Sequence, residues 1–238
     1  YPDAKEDMLS NISFTARPGQ TTAILGGTGS GKSTLVQLIP RFFDVTGGRL
    51  LVDGRDIRDV TQHDLRERIG YVPQKGVLFS GTIASNIAFG MDDAPQADIE
   101  KAADIAQATE FILEKPDKYE DTIAQGGSNV SGGQKQRLAI ARAIMRKPEI
   151  LVFDDSFSAL DYRTDVSLRS ALKRETALST VIIVAQRIGT VLNADQIIVL
   201  DEGKIAGIGT HSELMETCEV YRQIAMSQLS KEELAHAK

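Results

Sequence analysis

Five short apolar runs punctuate the chain: Thr21–Leu25, Leu50–Val52, Ile150–Phe153, Val181–Ala185 and Ile197–Leu200. Each is bounded by Gly, Pro, Asp or other polar residues. Within the runs the apolar residues are continuous rather than alternating, the pattern of strands buried on both faces. Helical spacing fills several of the intervals, which predicts an α/β fold with a mainly parallel sheet. Pro18-Gly19 predicts a turn feeding the first strand. The middle of the chain reads differently. From about Ser85 to Lys147 no run has strand character, while Ala97–Ala108 and Gly132–Arg146 are Ala-rich with helical spacing. The expectation is a single domain: a core of residues 1–84 and 148–238, with an α-helical lobe of about residues 85–147 inserted into it.

Composition narrows the class. The chain has 238 residues, 42% hydrophobic and 25% charged, which suits a folded domain with one substantial core and excludes disorder. Its longest apolar runs fall far short of the ~18 residues of a membrane span. With 33 acidic against 27 basic residues the formal charge is −6, which argues against a nucleic-acid partner. The single cysteine, Cys218, can form no internal disulfide and reads as a packed or half-exposed thiol. His63, His211 and His236 match no metal-ligand spacing. Thr210-His211-Ser212-Glu213 reads as a helix cap, Leu65–Arg68 as a solvated helix face, and Lys231–Lys238 as a solvated or frayed helix. The opening Tyr1-Pro2-Asp3 carries no initiator Met, and the expectation is a piece of something longer.

Chemistry enters with Gly26-Gly27-Thr28-Gly29-Ser30-Gly31-Lys32-Ser33, which matches G-x-x-x-x-G-K-[ST]. A predicted strand precedes it and the apolar segment Leu35–Ile39 follows, the strand–loop–helix setting this motif requires. Its glycines let backbone N–H groups turn inward around phosphate oxygens. Lys32 neutralises β/γ-phosphates and the Ser33 hydroxyl is placed to ligate Mg²⁺. By average residue usage a chance match in a chain this long arises roughly once in a hundred. Ile150–Asp154, an apolar strand ending in an acid, supplies the Walker-B pattern, with Asp154 in the Mg²⁺ shell. Val130-Ser131-Gly132-Gly133-Gln134 starts a helix with an S-x-x-Q capping box. Two glycines in that first turn cost about 1 kcal/mol each relative to Ala, a loss that an anion approaching bare N–H groups offsets.

Together these residues resemble the nucleotide-binding domain of ABC transporters, over essentially the whole chain. VSGGQ is similar to that family's signature motif, lying between Walker A and Walker B. Gln74, in Tyr71-Val72-Pro73-Gln74, resembles the Q-loop glutamine, and Ser158-Ala159-Leu160-Asp161 resembles the D-loop. Tyr1 stands where an adenine-stacking aromatic is expected, and Leu78–Ile83 resembles the exporter branch. The resemblance implies a P-loop NTPase (RecA-like) core with an antiparallel β portion near the N-terminus and a helical lobe, one ATP-binding domain over 1–238. It implies ATP and Mg²⁺ as cofactors. Gly27, Thr28, Gly29, Ser30, Gly31, Lys32, Ser33 and Thr34 hold nucleotide in this reading. Ser131, Gly132, Gly133, Gln134 and Asp161 complete the site of a dimeric partner. Ser33, Gln74 and Asp154 are the implied metal ligands, and Lys32, Gln74, Asp155 and Gln186 the implied catalytic set. The implied partners are a second nucleotide-binding domain and a transmembrane domain outside this chain, at the cytoplasmic face of the cell membrane.

Three positions depart from that family pattern. Asp155 stands where a Glu usually orients the attacking water, and Gln186 where a His usually contacts the γ-phosphate. Gln125-Gly126-Gly127 replaces a Glu-Arg-Gly sequence that exporters often show before the signature. Asp is shorter than Glu by about 1.5 Å, and a displacement of about 1 Å in a catalytic group can cost ~10²-fold in rate. Gln donates a hydrogen bond but cannot become cationic as His can. Both changes spare ground-state contacts and weaken transition-state ones. The resulting expectation is the slow-site subunit of a heterodimeric exporter, whose intact signature serves the other subunit. A homodimer that tolerates both changes, a non-catalytic ATP-binding regulatory module and a soluble non-transport ABC ATPase are the alternatives.

Overall fold

A computed structural model describes residues 6–229. The chain forms two compact units. The first takes the chain up to Ile69 and again from Thr180 onward, and the second is Gly70–Ser179.

The first unit holds β1 (Thr21–Gly26), α1 (Lys32–Gln37), β2 (Leu51–Val52), β3 (Arg55–Asp56) and α2 (Gln62–Glu67). β4 (Ile69–Val72) crosses into the second unit, which continues with β5 (Gly81–Thr82), α3 (Ile83–Ile87), α4 (Gln96–Ile105), α5 (Thr109–Leu113), β6 (Thr122–Ile123), α6 (Gly132–Met145), β7 (Ile150–Asp154) and α7 (Tyr162–Glu175). The chain then returns to the first unit with β8 (Thr180–Ala185), α8 (Ile188–Val191), β9 (Gln196–Asp201), β10 (Lys204–Gly209), α9 (His211–Thr217) and α10 (Glu219–Gln228).

In the first unit the strands run in the order β10-β9-β1-β8. β1 pairs in parallel with both β8 and β9, and β10 pairs antiparallel with β9. β1 and β8 are buried along nearly their whole length, as their unbroken apolar runs require. The Asp195 carboxylate fixes the start of β1 by accepting the Thr21 amide at 2.8 Å. β2 and β3 form the antiparallel portion near the N-terminus, and Pro18-Gly19 forms the expected turn. The register sets Leu25 opposite Ala185 and Gly26 opposite Leu200. The loops leaving β1 and β8 therefore emerge side by side at the carboxyl edge of the sheet, where ligands of parallel sheets bind.

The second unit is mostly helical. α6 packs on α3 and α4, and its Leu138, Ile140, Ala141 and Ile144 are buried. β4 and β7 are neighbours. Several elements differ from the pattern reading. Leu50–Val52, read as a strand buried on both faces, yields the two-residue β2, with Leu51 exposed, in a separate antiparallel pair with β3. β3, β4 and β5 lie outside the strands that the pattern predicts. β6, inside the stretch read as strandless, pairs with β5 over two residues, too few to leave a periodic trace. β10 alternates between exposed and half-buried positions, as suits an antiparallel strand paired on one side, so a search for continuous apolar runs passes over it. α2 also does more than present a solvated face. Leu65 is buried, and Arg66 donates to the carbonyls of Pro40 (2.9 Å) and Arg41 (3.1 Å). Cys218 is buried, and Thr210 caps α9 through a reciprocal box with Glu213. Tyr1 and Lys231–Lys238, with His236, lie outside the described residues.

Candidate functional site

The phosphate loop begins where β1 ends, at Gly26. A Cβ on Gly26 would collide with the Leu200 carbonyl oxygen and stand 2.6 Å from Ser30 Oγ. Gly29 (φ 81°) and Gly31 (φ 97°) occupy the left-handed region that favours glycine, and Gly31 is the N-cap of α1. Gly27, Thr28 and Gly29 are exposed, and the space where a Cβ of Gly27 or Gly29 would stand is open. The buried Lys32 folds its ammonium back over the loop, donating to the carbonyls of Gly26 (2.9 Å) and Gly27 (2.7 Å). Ser30 Oγ is buried with no hydrogen-bond partner. An orphaned buried hydroxyl costs roughly 1–3 kcal/mol, so a ligand that supplies a partner is favoured here. Ser33 and Thr34, half-buried, lie in the first turn of α1. Open glycines, an ammonium and an unsatisfied hydroxyl on one loop fit a polyphosphate.

Gln186 follows β8 on the strand beside β1, so the sheet brings the residue predicted to contact the γ-phosphate to the same edge as the loop. The side chain is exposed. Its backbone is held by a residue the motifs do not mark: Gln228 Nε2 donates to the Gln186 carbonyl at 2.9 Å.

In the second unit β7 ends at Asp154, buried, and the chain turns at Asp155 through φ 49°. Asp tolerates that left-handed conformation better than most residues. Tyr71 Oη donates to Asp154 Oδ2 at 3.0 Å, and Gln74 Nε2 donates to Asp155 Oδ2 at 3.0 Å. The predicted Q-loop glutamine and the predicted base therefore meet directly. Ser156 Oγ donates to the Val72 carbonyl (2.9 Å), binding the turn after β7 to the end of β4. The buried Gln136 ties the Q-loop to α6. Its Oε1 accepts from the Gly76 amide at 2.9 Å, and its Nε2 donates to the Pro73 carbonyl at 3.1 Å.

The signature turn is a complete capping box. Gln134 N–H donates to Ser131 Oγ (3.2 Å), and Ser131 N–H donates to Gln134 Oε1 (2.9 Å). Gly132 is exposed, has no positive φ, and faces open space. Gly133 lies against the D-loop, where an added Cβ would stand 3.4 Å from the Ala159 carbonyl. Asp161 caps α7, accepting from the amide (2.9 Å) and hydroxyl (2.7 Å) of Thr164. The Thr164 amide, then its hydroxyl, hold the Asp161 carboxyl below the usual range. The segment of the third departure, Gln125–Gly127, forms a short 3-10 turn, with Gly126 at φ 64°.

A family model described as ABC transporter matches residues 9–158. The chain is 48% identical over 98% of its length to YfiB, an ABC transporter ATP-binding protein of Bacillus subtilis. It is 41% identical over 97% of its length to the ATP-dependent lipid A-core flippase of Chromobacterium violaceum. It spans 40% of each of those relatives. Among solved structures, a bacterial Atm1-family ABC exporter with ATP bound matches with a TM-score of 0.92 and 40% identity, over 96% of this chain and 40% of that one. Among the described residues no helix is long and apolar enough to cross a membrane. The mixed α/β fold with its mainly parallel sheet, the phosphate loop and these likenesses agree: the chain belongs to the ABC transporter family, of which it carries the ATP-binding domain.

Proposed function

We propose that this domain binds and hydrolyses ATP as the motor of a membrane exporter, paired with a second nucleotide-binding domain and coupled to a transmembrane domain at the cytoplasmic face of the membrane. The observation that carries this reading is the phosphate loop: the Lys32 ammonium 2.9 and 2.7 Å from two loop carbonyls, beside exposed Gly27 and Gly29 and the orphaned Ser30 hydroxyl. The flippase and the ATP-bound exporter among its relatives support the transport reading.

In this proposal the backbone of Gly27–Thr34 and the Lys32 ammonium hold the β- and γ-phosphates, and Tyr1 stacks on adenine. Ser33, Gln74 and Asp154 offer the oxygen ligands that suit Mg²⁺. When bound, Mg²⁺ neutralises charge on the β/γ oxygens. Asp155, held by Gln74, orients the attacking water from a shorter arm than Glu would give. Gln186 donates a neutral hydrogen bond toward the γ-phosphate. Ser131, Gly132, Gly133, Gln134 and Asp161 serve the nucleotide of the partner. The domain is then the slow-site subunit of a heterodimer. A non-catalytic regulatory module is the second reading, favoured by the same pair, Asp155 and Gln186.

Steady-state ATPase measurements on the assembled transporter test this. Asp155→Glu combined with Gln186→His should raise hydrolysis at this chain's site ten-fold or more, on the order of 1.4 kcal/mol in barrier. An unchanged rate refutes the slow-site reading. Vigorous hydrolysis by the unaltered isolated chain refutes the regulatory one.

A further inference from the structure

One side chain outside every motif grips the segment Gln186–Ile188 with both halves of its carboxamide. Gln228, at the end of α10, donates from Nε2 to the Gln186 carbonyl at 2.9 Å and accepts at Oε1 from the Ile188 amide at 2.8 Å. The two bonds span 42 and 40 residues of sequence. They bracket Arg187, which is extended (φ −107°, ψ 131°) where the chain leaves β8 and turns into α8. α8 begins at Ile188, and its N-cap Arg187 makes no side-chain cap bond. Gln228 therefore satisfies from a distance one of the amides that a helix start leaves without an intrahelical partner. α10 is a firm platform for this. Tyr221 and Ala225 are fully buried on its inner face, and Tyr221 Oη lies 2.7 Å from His211 Nδ1 on α9.

We propose that Gln228 is a positioning residue: it sets the backbone of Gln186–Ile188 and through it the reach of the Gln186 side chain. The proposal rests on the reading of Gln186 as the γ-phosphate contact. A carboxamide of this length is specifically required. Asn is one methylene too short to span both groups. Glu keeps an acceptor for Ile188 but sets a second acceptor against the Gln186 carbonyl.

The test uses the full-length transporter with its partner, ATP and Mg²⁺. It follows amide hydrogen exchange of the peptide containing Ile188 and the rate of ATP release. Gln228→Ala should accelerate Ile188 exchange about ten-fold, the scale of one lost hydrogen bond. Gln228→Glu should leave Ile188 protected yet speed ATP release several-fold. In a Gln186→Ala background, Gln228→Ala should add nothing to ATP release, as expected if it acts through residue 186. Unchanged Ile188 exchange in Gln228→Ala overturns the proposal. So do fully additive effects on ATP release, which would mark a merely structural role. If Gln186→Ala alone is silent while Ile188 exchange rises in Gln228→Ala, the positioning of the segment stands and the phosphate role of Gln186 falls.

Discussion

Two glycine-bearing turns start helices in this chain, and their glycines are present for different reasons. In the phosphate loop the fold itself demands several of them. Gly26 has no room for a Cβ beside the Leu200 carbonyl, and Gly29 and Gly31 sit at φ 81° and 97°. In the signature turn the fold demands much less. Gly132 is helical, has no positive φ and faces open space, while the cap is already completed by Ser131 and Gln134. A glycine that its own domain does not need, kept where it costs about 1 kcal/mol of helix stability, points to something outside the domain. The phosphate loop is thus explained by its own chain plus a ligand, whereas nothing within its own chain requires the glycine at 132, as the proposed partner contact would.

The strongest way to break this contrast is Gly26→Ala. The added Cβ would enter the space of a backbone carbonyl that cannot swing away as a side-chain tip can. We expect a loss of about 3 kcal/mol in folding stability, read as a lowered chemical-denaturation midpoint of the isolated domain. A near-neutral result would show that the loop yields and that its glycines are less constrained than the geometry implies.

Gly132→Asp separates the two turns by function. It places a carboxylate where we propose that a partner-bound phosphate approaches, without crowding its own chain. Turnover of the assembled transporter should fall at least ten-fold, about 1.4 kcal/mol, while ATP affinity at this chain's own phosphate loop is unchanged. Damage confined to this chain's own site would refute the arrangement in trans. Gly132→Ala is the milder version. It should raise the stability of the isolated domain by up to about 1 kcal/mol while slowing the assembled transporter. A destabilised isolated domain would mean that the turn needs glycine for itself.

Sequence legibility follows the same division between local and distant causes. The phosphate loop, the Ser131–Gln134 box and the Thr210 cap are contiguous patterns, and each forms as read. The continuous apolar strands β1, β7, β8 and β9 are legible because two-sided burial leaves an unbroken run. The alternating β10 and the two-residue β6 are not. The tuning contacts are invisible for another reason. Tyr71 meets Asp154 across 83 residues, and Gln136 meets Gly76 across 60. Gln228 reaches Gln186 across 42. No local periodicity marks such partners, and a buried or helix-end glutamine is an ordinary residue until its acceptor is known. Asp161 shows the converse: a motif residue whose carboxylate is already engaged in capping α7, so that its type is partly explained by local helix chemistry.

The smallest expected effect extends the contrast to a chemically able side chain that the fold uses internally. His211 is buried at the start of α9 with Nδ1 2.7 Å from the Tyr221 hydroxyl, itself fully buried. Burial holds the imidazole below its ordinary pKa of 6.5, so the folded domain resists protonation that the unfolded chain accepts. The unfolded state binds more protons as pH falls below 6.5, so stability is full above that value and declines as pH drops toward the lower, folded-state pKa. The melting temperature of the isolated domain should therefore fall between about pH 7.5 and about pH 5.5, and His211→Gln, which keeps a polar partner for Tyr221 but does not titrate, should flatten that slope. An identical slope in the variant would mean that other groups set the acid sensitivity. A flattened slope with unchanged ATP turnover at neutral pH would place His211, like Gly26, among the residues that the fold requires for itself.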